Sequence, residues 1–332
     1  MRSFRDLAPR LRRWPGALAL GLVLPLAGCS ADSSRPDAAP PASGASGTGG
    51  TATAVPEVRG ELRVDGDTRS YLLHRPAADG RRPLVIAFHG RGESAADLRE
   101  KSGLQRAAEE RGMLVAFPEG LDRGWGAGAK ATGQRPDPGR DVRFTEALIK
   151  HLVGTEHADP RRVYVAGFSN GGSMALRMAA ERPALLAGAA SVSGQLAAGD
   201  GAVKPTGPVP VLVVYGADDP VRPLAGLPSP PPDPEEPILP SLSARDTAEA
   251  FADAGGAGDP VTRARKGYDE TVWRPEDGRG GPDAGTVRLL VVHDAGHTWP
   301  GTTAAPPEGF GPVSKDLDAT GTLLDFFAAA GR

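Results

Sequence analysis

The alternation that begins near residue 83 constrains the fold more than any other feature of the chain. Short, almost unbroken apolar runs end in glycine and alternate with helical stretches. "PLVIAFHG" (83–90) precedes helical periodicity from 94 to about 111, and "MLVAFPEG" (113–120) precedes a glycine-rich loop and then "DVRFTEALIKHL" (141–152). "RRVYVAGFS" (161–169) leads into "NGGSMALRMAAERP", followed by "AGAASVSG" (187–194) and "PVLVVYGADD" (210–219). After a proline-rich stretch, "SARDTAEAFADAGG" is helical, "TVRLLVVHDAGH" (286–297) supplies the last central strand and "DATGTLLDFFAAA" (318–330) a closing helix. Strands that are apolar throughout are covered on both faces. The pattern therefore predicts an α/β protein with a mostly parallel central sheet and helices on both sides. Upstream, "EVRGELRV" and "TRSYLLHRP" flank Asp65-Gly66, which predicts an antiparallel hairpin at the sheet edge. In such sheets ligands bind beyond the carboxyl ends of the strands, so chemistry should be sought there.

The amino terminus does not belong to this pattern. Arg2, Arg5, Arg10, Arg12 and Arg13 stand against Asp6 alone, and an apolar run follows at 16–28. That run is too short to span a bilayer and has the layout of a secretory signal. It ends in Leu26-Ala27-Gly28-Cys29, which resembles a bacterial lipobox and implies that Cys29 is the lipidated first residue of the mature protein. Cys29 is the single cysteine of the chain, so no intramolecular disulfide is possible. Residues 30–55 are small, polar and rich in Pro and Gly, with too little apolar bulk to fold. The expected organisation is a lipoprotein signal peptide at 1–28, the lipidated cysteine with a disordered tether at 29–55, and a catalytic domain at 56–332. The protein is then secreted and anchored to the outer face of the cell membrane, touching it only through the lipid. Loss of the first 28 residues leaves 33 basic and 40 acidic residues, a net charge of −7, with no Lys/Arg-rich run. That balance argues against a nucleic-acid partner.

Gly167-Phe168-Ser169-Asn170-Gly171 fits the G-x-S-x-G pattern of a nucleophile elbow. In a chain with 45 glycines the pattern alone selects little, so its context decides. Ser169 falls between a strand (163–165) and a helix, where a sharp turn lifts the hydroxyl over the sheet edge. Glycines at 167, 171 and 172 remove side chains that would clash there. The following helix start offers free N–H groups and a positive dipole end to developing negative charge. A serine also needs a base and an acid, placed in such folds in the order Ser, Asp/Glu, His. Of the six histidines only His293 and His297 follow the next acid. His293 sits inside the apolar strand run, whereas His297 comes just past Gly296, in a loop able to turn toward Ser169. The spacing of the two histidines does not indicate a metal pair, because Gly296 and the strand context oppose a helix. No metal and no cofactor are expected. Asp218 and Asp219 both follow the strand 210–216 and point different ways, so one of them reaches His297. Asp294 is a weaker candidate. The oxyanion donors should be the N–H of Asn170 and one from His89-Gly90-Arg91-Gly92, with Arg91 favoured and His89 holding the loop. Trp125 and Trp299 either line a substrate pocket or pack locally, and Trp273 falls in an edge strand. The proline-rich segment 223–242 either borders the cleft or is a solvated spacer.

Taken together, "PLVIAFHGRGES", "FPEGLDRGW", "DVRFTEALIKHL", "DPRRVYVAGFSNGGSMALRMAAERP", "VPVLVVYGADDPVRP" and "GHTWPG" resemble the secreted esterases that include polyhydroxybutyrate depolymerases and feruloyl or acetylxylan esterases (carbohydrate esterase family 1), with the actinobacterial lipoprotein branch among them. The resemblance covers about residues 57–330. It implies an α/β-hydrolase fold, Ser169 as nucleophile, His297 as base, Asp219 as acid, and Arg91 and Asn170 as oxyanion donors. It also implies a serine carboxylesterase acting on short-chain polyester, feruloyl or acetyl esters. The chain departs from its relatives in having no cysteines to spare for structural disulfides, in the bulk of Arg91, in the length of the 223–242 segment and in lacking a separate polymer-binding module. An exopeptidase of the same fold would need an acid to hold a peptide N-terminus, and none is evident. A non-catalytic binding module would be expected to have lost a residue of the triad, and none is missing.

Overall fold

The computed structural model describes residues 58–77, 79–229, 239–276 and 285–331. Cys29 and the expected signal and tether lie outside them. Among the described residues, ten strands form one sheet. They are β1 (Val58–Val64), β2 (Asp67–His74), β3 (Arg82–Phe88), β4 (Leu114–Pro118), β5 (Ala158–Phe168), β6 (Gly188–Val192), β7 (Val211–Gly216), β8 (Val261–Arg265), β9 (Tyr268–Trp273) and β10 (Val287–Val292). Their order is β1-β2-β4-β3-β5-β6-β7-β10-β9-β8. The six strands from β4 to β10 in that order run parallel. An antiparallel pair flanks them on each side: β1 and β2 next to β4, and β9 and β8 next to β10.

The first of these wings was expected. Asp65 and Gly66 join β1 and β2 with φ of 52° and 91°, both positive as a two-residue type I′ turn requires. The second wing was not. Trp273 was expected on an edge strand, but β9 lies inside β8. Every side chain of β8, "VTRAR", is exposed, so the strand carries no apolar signal to be read.

Among the described residues, six α-helices cover the sheet: α1 (Ala95–Ser102), α2 (Leu104–Glu109), α3 (Arg140–Thr155), α4 (Asn170–Glu181), α5 (Ala244–Ala254) and α6 (Ala319–Ala330). The helix expected from 94 to about 111 is two helices. Ser94 opens α1 with a reciprocal capping box to Asp97, and Gly103 breaks it with a left-handed φ of 62°. Alternate strand residues feed two separate cores. Leu84, Ile86, Phe88, Val163 and Val165 pack with residues of α3, α4 and α5. Val85, Ala87, Tyr164 and Ala166 pack with residues of α1, α2 and α6. The unbroken apolar runs thus serve both faces with a period of two. This arrangement lines up the carboxyl ends of β3, β5, β7 and β10 along one edge.

Candidate active site

At that edge β5 ends at Phe168, α4 begins at Asn170, and Ser169 is the single residue between them. Its backbone is strained, with φ 54° and ψ −116°, and its N–H donates to the Val192 carbonyl at 2.8 Å. Close packing on both sides forces the turn. A Cβ on Gly167 would stand 2.2 Å from the Gly171 carbonyl oxygen, and one on Gly171 would stand 2.1 Å from that of Phe88. No larger residue fits either place.

β7 ends at Gly216, and the chain turns at Asp219. One carboxylate oxygen, Oδ1, accepts the N–H groups of Val221 (3.0 Å) and Arg222 (2.8 Å). The other, Oδ2, lies 2.7 Å from Nδ1 of His297, which the loop after β10 delivers. Nε2 of His297 lies 2.8 Å from Ser169 Oγ. A carboxylate accepts only, so Nδ1 carries the proton and Nε2 accepts the seryl O–H. The imidazole is 2% exposed. It packs between the rings of Phe168 and Phe310, at centroid distances of 5.1 and 5.3 Å. The arrangement can take a proton from Ser169, with Asp219 stabilising the resulting imidazolium. Asp218 does not share this role, since the carboxylate that meets His297 is that of Asp219. His293 points away from the site and pairs with Asp269 at 3.2 Å.

A cleft of about 590 Å³ opens over Ser169. Arg91 and Asn170, the expected oxyanion donors, both line it. The Asn170 amide is the first of α4 and is therefore not used by the helix's own hydrogen bonds. His89 holds the loop that carries Arg91. Its Nδ1 donates to the Gly90 carbonyl at 2.7 Å, and its Nε2 accepts the Gly120 N–H at 2.9 Å. Trp125 lines the cleft with its ring nearly buried and donates from Nε1 to the His89 carbonyl at 2.9 Å. Trp299 does not line it. Its ring lies in the core on the α6 side of the sheet, and its Nε1 donates to Thr320 Oγ1 at 2.9 Å. The residue two beyond His297 has passed below the strand ends, so Trp299 packs rather than binds. Both described ends of the proline-rich segment reach the cleft, through Leu227, Leu239 and Pro240.

The family model described as "Putative esterase" matches residues 67–254. The chain is 42% identical over 286 residues to the protein named "Putative esterase NocK" of Nocardia uniformis subsp. tsuyamanensis, a match that spans 80% of this chain and 81% of that one. The chain belongs to this esterase family. The esterase is also 33% identical over 144 residues to feruloyl esterase B of Piromyces equi, across 41% of its own length and 26% of that protein's. Its fold matches that of acetyl xylan esterase from Aspergillus awamori with a TM-score of 0.56 at 17% identity, covering 82% and 99% of the two chains. The fold is that of the α/β-hydrolases and the activity that of a carboxylic ester hydrolase.

Several residues that line or hold the esterase's cleft escape a reading of motifs. Asn170 contributes its side chain as well as its amide: Oδ1 accepts the Trp125 N–H at 2.7 Å, and Nδ2 donates to the Trp125 carbonyl at 3.1 Å. Buried Arg177 donates from Nη1 to the carbonyls of Gly126, Gly128 and Pro138, each at 2.7 Å. Buried Asp141 accepts from the Gly126 N–H at 2.7 Å and pairs with Arg69 at 2.9 Å. Burial holds the Arg69 pKa below its ordinary value, with Asp141 opposing. A lone charge within the apolar stretch "MALRMAA" is the one sequence signal for Arg177. For Asp141 and Arg69 there is none, because their partners lie across the fold.

Proposed function

We propose that this protein is an extracytoplasmic serine carboxylesterase that works through Ser169, His297 and Asp219. What carries the reading is one imidazole within hydrogen-bond reach of both the seryl oxygen (2.8 Å) and the buried carboxylate (2.7 Å). His297 removes the proton of Ser169 as its oxygen attacks the ester carbonyl. The N–H groups of Arg91 and Asn170 hold the oxyanion. The imidazolium gives its proton to the departing alcohol. Water, deprotonated by His297, then hydrolyses the acyl-enzyme. The relative named feruloyl esterase B supports a feruloyl ester as substrate, and acetyl or short-chain polyester esters would be cleaved by the same chemistry.

Protein from residue 30 onward, treated with a fluorophosphonate probe and assayed on nitrophenyl butyrate and methyl ferulate, tests the mechanism. Ser169→Ala should abolish labelling and lower turnover by about 10⁴-fold or more while leaving the unfolding midpoint close to that of the parent. Undiminished turnover in that variant would overturn the assignment.

The arginine-rich start, the apolar run and Cys29 support export and lipid anchoring, with 56–332 as the catalytic domain and 29–55 as its tether. In cells making the full chain, Cys29→Ser should move the protein from the membrane fraction to the soluble one. A Cys29→Ser protein that stays in the membrane fraction would remove the anchor from the proposal.

A further inference from the structure

The cleft is charged opposite to the chain. The sequence holds 38 basic and 41 acidic residues. The charged residues described as lining the cleft, however, are Arg91, Lys130, Arg135 and Arg222 against Glu93. Most of these have an evident task. Glu93 is engaged by Lys101 and by the Gly90 N–H. Lys130 pairs with Asp200, and Arg135 with Asp122 and the Leu121 carbonyl. Arg91 is placed by its backbone, which forms the loop over Ser169.

Arg222 differs. Its backbone N–H orients Asp219, but its side chain does not: the oxygens of Asp219 are taken by the Val221 and Arg222 amides and by His297. The guanidinium reaches instead along the cleft wall, where Nη1 donates to Ser173 Oγ at 3.1 Å. Ser173 lies in the first turn of α4 and its N–H donates to the Ser169 carbonyl at 2.9 Å, so it is a close neighbour of the elbow. Nε of Arg222 is shielded from solvent and has no hydrogen-bond partner. Burial is the largest influence on this cation and depresses its pKa. Tyr215 and Asp219 oppose that influence, while the neighbouring Arg91 adds to it. A guanidinium disfavoured by burial and repelled by Arg91, with its Nε covered by protein and lacking an acceptor, gains from an anion held at the part of Arg222 that lines the cleft. A carboxylate serves best, because its two oxygens match the planar fork.

Resting on the esterase reading above, we propose that Arg222 is an anion-binding residue of the substrate cleft, and that the esters preferred here carry a carboxylate on their acyl or alcohol part, about one helical turn from the scissile carbonyl. At about 590 Å³ the cleft has room for the ester and the charged arm together. An excess of positive charge around its mouth would also draw such substrates in.

Two matched pairs of esters distinguish the acyl from the alcohol side. Monomethyl adipate is compared with methyl hexanoate by methanol release, and 3-acetoxybenzoate with methyl 3-acetoxybenzoate by acetate release. In the wild type, kcat/KM should favour the charged member of at least one pair by about tenfold or more. The pair that responds tells which part of the substrate bears the charge. Arg222→Gln should erase the ratio, and Arg222→Lys should restore part of it. The ratio is read within each variant, so a general loss of activity cancels. Should Arg222→Gln not fold, the wild type serves alone: its preference should shrink as NaCl is raised from about 0.05 to about 0.5 M, while the neutral ester's rate holds. Hydrolysis of the neutral esters with no preference for either charged one would overturn this inference and leave the esterase reading standing. A preference that survives in Arg222→Gln would overturn it equally. Absence of fluorophosphonate labelling and of all ester turnover would overturn the esterase reading itself.

Discussion

The two walls of the cleft are built by different physics. One wall consists of strand ends: the elbow after β5, the turn after β7 and the loop after β10. There the backbone sets the geometry. Gly167 and Gly171 let main chains approach within distances that a single Cβ would block, and Asp219 is held by the amides two and three residues ahead of it. The other wall is the segment between β4 and α3. It has little regular structure, and side chains from remote positions hold it down. Asn170 grips the Trp125 peptide, Arg177 gathers three carbonyls, and Asp141 takes the Gly126 amide. The first wall sets where the reacting atoms lie, and a small error there is fatal. The second sets what fits beside them, and polar anchors of this kind can be exchanged one at a time.

Substitutions in each wall should therefore separate chemistry from binding. After Ser169→Ala, the largest effect belongs to Asp219→Asn. The new Oδ1 can still accept the Val221 and Arg222 amides, so the turn survives. The new amide group, however, donates to His297 Nδ1 and forces the proton onto Nε2, where it cannot receive the seryl proton. We expect kcat to fall by about 10³–10⁴-fold with little change in the denaturant midpoint. A fall of less than about tenfold would mean that the carboxylate serves the turn alone. The next effect belongs to Arg177→Met, which leaves three carbonyls, two of them buried, without their donor. It should cost about 2–3 kcal/mol of stability by denaturant unfolding. It should raise KM for bulky esters while fluorophosphonate still labels Ser169. Lost labelling would show that the second wall also sets the nucleophile's geometry.

The same division explains what the sequence makes legible. The parallel sheet could be read because each central strand is apolar on both faces, and the elbow because glycine spacing encodes a steric need within five residues. His297 stood out because Gly296 ends the strand pattern just before it. Choosing Asp219 over Asp218 needed the resemblance, since two adjacent carboxylates look alike until one sees which faces the imidazole. The second wall was opaque. The tie from Arg177 to Pro138 spans 39 residues and that from Arg69 to Asp141 spans 72, and local pattern says nothing about such pairs. Trp299 was ambiguous for another reason. An aromatic residue two beyond a strand-end histidine can face the cleft or the core, and the backbone after His297 turns it inward. β8 was invisible because a strand with no buried side chain has no pattern.

The smallest effect concerns the residue that joins the two walls. His89 belongs to the loop after β3, yet its Nε2 accepts the Gly120 N–H and its carbonyl accepts the Trp125 indole N–H. Acceptance at Nε2 requires the ring to be neutral, with the proton on Nδ1 donated to the Gly90 carbonyl. Burial depresses its pKa below the ordinary value. The Gly90 carbonyl and the carboxylates of Glu119 and Glu93 oppose this, and Arg123 reinforces it. The sign follows from proton counting. As pH falls through 6.5, the ordinary histidine value, the unfolded chain takes up a proton that the folded chain refuses. Stability is therefore full above that value and declines until the folded pKa is reached. For one histidine the loss between roughly pH 7.5 and 5.5 is at most about 1.4 kcal/mol. His74, also depressed by burial, adds a similar slope of its own, so the wild-type profile cannot be assigned to His89 directly. His89→Gln isolates it, because an amide can donate to the Gly90 carbonyl and accept from the Gly120 amide without titrating. Chemical denaturation across that pH range should give a shallower decline in the variant than in the wild type. Parallel curves would mean that His89 can charge in place, and that the tie between the two walls does not depend on its neutral form.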